Sequence, residues 1–129
     1  MGRRSASSTA VDSRTAAFAA ANSAEVKKGK GTIVLDVRQV TSLADYFVIT
    51  GGESPSQVKA IVEAVDEKLQ PLGCKAIGVE GKSESRWVLL DYGDIIVHVL
   101  HEKERGYYKL EQFWNHALLV SRSEWEQEE

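Results

Sequence analysis

The stretch Arg86–His101, RWVLLDYGDIIVHVLH, decides how the rest of the chain is read. Two apolar runs flank Asp91-Tyr92-Gly93-Asp94, and Gly93 can supply the positive φ that a tight hairpin turn needs. With Tyr92-Gly93 as the turn, the expected register sets Asp91 opposite Asp94, Leu90 opposite Ile95, Leu89 opposite Ile96, Val88 opposite Val97 and Trp87 opposite His98. Side chains alternate faces along a strand, so this hairpin has two sides. Val88, Leu90, Ile95, Val97 and Val99 form an aliphatic core face. Trp87, Leu89, Asp91, Asp94, Ile96 and His98 form the other.

That second face is unusual, because directly opposed like charges destabilise an antiparallel pair. One reading leaves both carboxylates solvated at a hairpin end and the tryptophan covered by helices. The other is an aromatic and aliphatic anchor rimmed by acid, which suits a basic partner, since interface hot spots favour Trp in a desolvated centre with charges around it.

Charge supports a basic partner. The chain has 129 residues and a net charge of −3, unevenly spread. Residues 1–30 hold six basic and two acidic side chains (+4), and residues 31–129 hold ten basic and seventeen acidic ones (−7). A body of that sign repels phosphate backbones, which argues against direct, sequence-specific nucleic-acid binding. No apolar run approaches the ~20 residues of a membrane span. The single Cys74 excludes an internal disulfide framework, suits a reducing compartment, and reads as a buried structural thiol rather than a nucleophile.

The length suits one domain. Residues 1–13, rich in Ser, Ala and Arg, read as a disordered basic tail. They carry a faint likeness to an organelle transit peptide, but a bacterial, cytoplasmic protein is the preferred reading over an organelle stroma or matrix. The single domain is expected over 14–120, and 121–129 as a frayed acidic tail. Within the domain, Ala16 to Val26 reads as a short helix anchored by Phe18 and Val26. Thr32–Val37 and Tyr46–Thr50 are strands, the second apolar enough to be buried on both faces. Ser54-Pro55-Ser56-Gln57 opens a helix with a capping box, and Val58, Ile61, Val62, Val65 and Leu69 make its buried stripe until Pro71 and Gly73 end it. Lys75–Glu80 is a third strand. A last helix is expected from Tyr107 to Val120, with Tyr107, Leu110, Phe113, Trp114 and Ala117 as its apolar face. The order is α-β-β-α-β-β-β-α, an α/β fold with a mixed five-stranded sheet and flanking helices.

Tests for chemistry return little. His98, His101 and His116 lack metal-ligand spacing, and no Gly-x-Ser-x-Gly elbow or Walker motif is present. The Gly51-Gly52-Glu53-Ser54 turn before a helix could hold phosphate. With Asp91 and Asp94 as metal ligands it would suggest a metal-dependent nucleotidyltransferase. Against that, Glu53 places a negative charge where phosphate would sit, the turn has no lysine, and the two aspartates lack Asp-x-Asp spacing. The sequence therefore points away from an enzyme, with no cofactor or metal expected.

The residues Leu43-Ala44-Asp45-Tyr46-Phe47-Val48-Ile49, then Val79-Glu80-Gly81, Trp87 through Val99, and Tyr108-x-Leu110-Glu111-x-x-Trp114 together resemble the Iojap, or ribosomal silencing factor (RsfS), family. The resemblance covers about Ala16 to Trp114. It implies an α/β fold of nucleotidyltransferase-like shape without the catalytic motif. It also implies a partner, a basic ribosomal protein on the intersubunit face of the large ribosomal subunit. Binding there would block subunit joining and repress translation under nutrient limitation, and a homodimer is a further expectation. Carried over by motif, the partner surface would include Trp87, Leu89, Asp91, Tyr92 and Asp94, to which the face analysis adds Ile96 and His98.

Overall fold

The computed structural model describes residues 11–108 and 116–126. Its elements in chain order are α1 (Ser13–Val26), β1 (Lys30–Asp36), β2 (Tyr46–Gly52), α2 (Pro55–Leu69), a 3-10 turn (Gln70–Leu72), β3 (Gly78–Glu80), β4 (Trp87–Asp91), β5 (Ile95–His101), α3 (Glu102–Tyr108), β6 (Leu118–Val120) and α4 (Arg122–Trp125). The expected mixed sheet with flanking helices is present, but it has six strands rather than five, in the order β3-β4-β5-β2-β1-β6. The β2–β5 pair is parallel and the others are antiparallel. The additional strand, β6, falls where the last helix was expected to end. That helix's apolar residues Leu110, Phe113 and Trp114 lie outside the described residues.

One face of the sheet carries the main core. The α2 stripe Val58, Ile61, Val62, Val65 and Leu69 is fully buried, as its helical spacing predicts. So is the hairpin face Val88, Leu90, Ile95, Val97 and Val99. At the α2 start, Ser54 Oγ accepts from Gln57 N and Gln57 Oε1 accepts from Glu53 N, so the expected box closes one residue further out. The Gln57 amide also donates to the carbonyls of Lys27 and Lys28, tying this turn to the end of α1. The cap is thus occupied by the chain's own side chains.

The first helix packs differently from expectation. Of the two expected anchors Phe18 packs against the core, partly buried, but Val26 is 71% exposed, and the fully buried side is alanine (Ala16, Ala17, Ala20, Ala21 and Ala24). Methyl side chains let α1 lie close to α2 and the sheet, so small size rather than a bulky stripe selects this face.

Both termini are more structured than the tail readings held. Residues 1–10 lie outside the described residues, but Val11 packs against the core and Asp12 caps α1 by accepting from Thr15 N. At the other end Trp125 is 2% exposed, and its carbonyl accepts from the Asn22 amide of α1. Arg122 of α4 pairs with Glu25 and Glu126 and stacks over the Trp125 ring. Residues 121–126 therefore belong to the folded body. The expectation of a frayed tail failed because an acidic composition conceals one aromatic with a pocket to fill.

Candidate functional site

The hairpin register differs from expectation by two residues. Trp87 pairs with Leu100, Val88 with Val99, Leu89 with His98, Leu90 with Val97 and Asp91 with Ile96. The turn lies one residue further on than expected: Tyr92 N donates to the Ile95 carbonyl, which leaves Gly93-Asp94 at the tip with Gly93 at φ +90. Tyrosine does not suit the first position of a primed two-residue turn, which needs positive φ there. A slip of two residues preserves the alternation, so the sorting of β4 and β5 into two faces survives. It removes the opposition of Asp91 and Asp94, however, and with it the supposed like-charge strain.

The loop residues then go separate ways. Asp91 is half-buried, and its Oδ1 accepts from Gly93 N at 2.8 Å, an Asx turn that fixes the connection. Asp94 is only 8% exposed, and its carbonyl accepts from Asp45 N, which fastens the hairpin to the start of β2. Its charge is felt at Cys74, a buried thiol raised by desolvation and then by Asp94. At 8% exposure, Asp94 does not form part of an outward acidic rim. Tyr92 is not a hairpin-tip contact either. It is fully buried, and its hydroxyl donates to Asp66 Oδ1 of α2 at 2.8 Å. Burial, then the hydrogen bond to Asp66, raises its phenol far above the ordinary range.

The remaining predicted residues do share one surface. On the face away from α1 and α2 a smaller cluster forms around Leu35, Val37, Ala44, Phe47, Ile49 and Leu100, with Trp87, Ile96 and Ile33 half-buried at its margin. No residue of α1 or α2 belongs to this cluster. The strand pairings set its side chains in rows across the sheet. One row runs Asp91, Ile96, Phe47, Leu35, Leu119, and the next runs Leu89, His98, Ile49, Ile33. Leu119 on the edge strand is 65% exposed.

On this face Trp87 and His98 are bonded side chain to side chain. Trp87 Nε1 donates to His98 Nδ1 at 3.1 Å, and the imidazole meets the Phe47 ring edge-on at 5.5 Å. Burial pushes the His98 pKa down to about 4, because charging it would cost desolvation. The ring is therefore neutral near pH 7, with Nδ1 as acceptor and the proton on Nε2. It makes this part of the face aromatic and uncharged.

The nucleotidyl-transfer alternative finds no support in this arrangement. Asp91 and Asp94 point to different surroundings, and among the described residues no group of three or more His, Cys, Asp or Glu is placed to hold a metal. Sequence reading missed Ile33, Leu35, Phe47 and Leu119 as members of the face. Alternation in β1 and β2 would have found the first three, but three residues of β6 carry too little pattern to find Leu119.

Comparison with known proteins gives a consistent answer. The family model described as "Ribosomal silencing factor during starvation" matches residues 10–129. The ribosomal silencing factor RsfS of Bacillus subtilis is 40% identical over 101 residues, covering 78% of this chain and 86% of that protein. A mouse protein named "Mitochondrial assembly of ribosomal large subunit protein 1" is 30% identical over 84 residues, covering 63% of this chain and 37% of that protein. A crystal structure of a Chromobacterium violaceum protein superposes with a TM-score of 0.79 at 36% identity, covering 81% of this chain and 88% of that one.

Proposed function

The chain belongs to the ribosomal silencing factor family, and from that membership we propose that it represses translation by docking its Trp87 face on a basic protein of the large ribosomal subunit. Bound at the intersubunit surface, it blocks joining of the small subunit when nutrients are short. The family's names describe a ribosome-associated regulatory factor, not a known enzyme.

The observation that carries this reading is the face that α1 and α2 leave uncovered: Trp87 and Ile96 half-buried beside neutral His98, with Asp91 at one margin. A half-buried tryptophan among aliphatic neighbours supplies the desolvated centre of an interface, and a carboxylate at its edge favours Lys or Arg across the contact. The large subunit as target draws support from the mouse relative, whose name assigns that protein to assembly of the ribosomal large subunit. The −7 body, from ten basic and seventeen acidic residues over 31–129, disfavours ribosomal RNA and confines docking to a protein patch. The contact set is Trp87, Leu89, Asp91, Ile96 and the edge of His98. Tyr92 and Asp94 support it from within. The same face suits a homodimer that opens before docking.

The test is sedimentation with purified ribosomal subunits. Wild type should travel with the large subunit alone, and Trp87→Ala should lose at least about 2 kcal/mol of binding. Asp91→Asn keeps an acceptor for Gly93 N while removing the charge, so it isolates electrostatics from turn geometry. Wild type remaining at the top of a low-salt gradient would reject the function. Unaltered binding by folded Trp87→Ala would reject this face.

A further inference from the structure

On the helical side, α1 packs on β1, β2 and β5 and α2 on β2, β5 and β4, while β3 forms the edge of the sheet next to β4. A groove of about 430 Å³ lies there. Its floor is apolar, from Val62 of α2, Val79 of β3 and Leu90 of β4, and Glu63, Asp66 and Glu67 line its α2 wall, with Lys82 at its margin. Val79 on the outermost strand is 45% exposed, and Ile77, just before that strand, is 68% exposed. Asp66 is preset as an acceptor: Tyr92 Oη donates to one carboxylate oxygen and the Gln70 amide to the other, at 2.8 and 2.7 Å.

An exposed edge strand is a template for strand addition, and the acidic wall selects what can be added. Successive residues of an added strand point to opposite faces, so every second side chain would meet the groove. Aliphatic groups would meet Val79 and Leu90, and cations would meet Glu63 and Glu67.

We infer that this groove takes an extended, lysine- and arginine-bearing segment of a large-subunit ribosomal protein, added as a strand along β3. The inference rests on the proposed ribosomal role but uses the opposite side of the sheet from Trp87. It gives the factor a second foothold, through charge complementarity with the three carboxylates of α2.

A photoreactive benzoylphenylalanine at position 79 tests it, because Val79 is partly exposed and three of the groove's acids stand nearby. The labelled full-length chain is bound to purified large subunits, irradiated, and the joined peptide sequenced. The expected product is a Lys- and Arg-rich stretch of a ribosomal protein, with yield reduced at least about tenfold by Glu63→Lys with Glu67→Lys or by high salt. Cosedimentation of unlabelled wild type is scored in parallel. If wild type sediments with the subunit but position 79 joins to RNA, to a second copy, to this chain's own N-terminal segment, or to nothing, the groove assignment is overturned while the ribosomal role stands. If wild type does not sediment, both fall.

Discussion

The Trp87 indole and the His98 imidazole are diagonal neighbours across β4 and β5, joined by a 3.1 Å hydrogen bond on the face that lacks α1 and α2. A surface tryptophan has many rotamers, whereas this one is oriented by a neutral acceptor that is itself only 8% exposed. Holding the ring in place before the partner arrives lowers the ordering cost of binding. Trp87→Phe retains most of the apolar area but removes the donor to His98 Nδ1. The expected result is a loss of about 1–2 kcal/mol in urea unfolding, the cost of depriving a buried acceptor. A variant as stable as wild type would show that the bond adds nothing.

The same histidine makes stability depend on pH. Its folded pKa is about 4 against an ordinary value of 6.5, and desolvation is the cause. Above pH 6.5 both folded and unfolded chains hold it neutral. Between 6.5 and 4 the unfolded chain takes up a proton that the folded chain refuses. Stability therefore falls with acidity across that window, by up to about 1.4 kcal/mol per pH unit and about 3 kcal/mol in all. Chemical unfolding at a series of pH values should show this slope in wild type and a flatter one in His98→Gln. Equal slopes would place the acid sensitivity elsewhere.

Tyr92 separates support from contact. Its ring is fully buried and its hydroxyl anchors Asp66. Tyr92→Phe should cost about 1 kcal/mol of stability through the lost hydrogen bond, and should leave cosedimentation with the large subunit unchanged at temperatures where the fold is intact. A binding defect in a folded Tyr92→Phe would give this residue a part in binding, by direct contact or through the carboxylate of Asp66 that it holds.

Periodicity made most of the fold legible. The α2 stripe, the two-sided burial of β2 and the core face of the hairpin follow from spacings long enough to be unambiguous. The candidate face was legible for the same reason, since a two-residue register error leaves alternation intact. What could not be read were features set by turns and by short or small-residue elements. The turn falls at Gly93-Asp94 rather than Tyr92-Gly93, which leaves Tyr92 buried, and apolar alternation does not tell these two placements apart. Five alanines gave α1 its buried side while Val26 stayed out. Three residues were too few to reveal β6.

Trp125 is the clearest case of order hidden by composition. It is 2% exposed in a segment of mostly charged residues, and Asn22 of α1 donates to its carbonyl. Trp125→Ala should lower stability by about 3–5 kcal/mol, as truncation of a buried aromatic does. Deletion from Ser121 onward should be at least as severe. A thermal midpoint unaffected by either change would restore the reading of this segment as a tail.

Gly81 links stability to the candidate site. It sits at φ +81 just before the loop into β4, and a Cβ there would lie 2.1 Å from the Trp87 carbonyl oxygen. Because the clash is with backbone, no side-chain rotation can relieve it, and the positive φ adds its own cost for any residue but glycine. Gly81→Ala should therefore cost about 2 kcal/mol or more. It should also push the Trp87 backbone away and disturb the indole's hold on His98. The double readout is a thermal melt together with sedimentation below the melting temperature. Lower stability with weakened large-subunit binding is the expected pair. A stable variant that binds as wild type does would mean that the loop relaxes without moving Trp87, and that the placement of the indole does not depend on this turn.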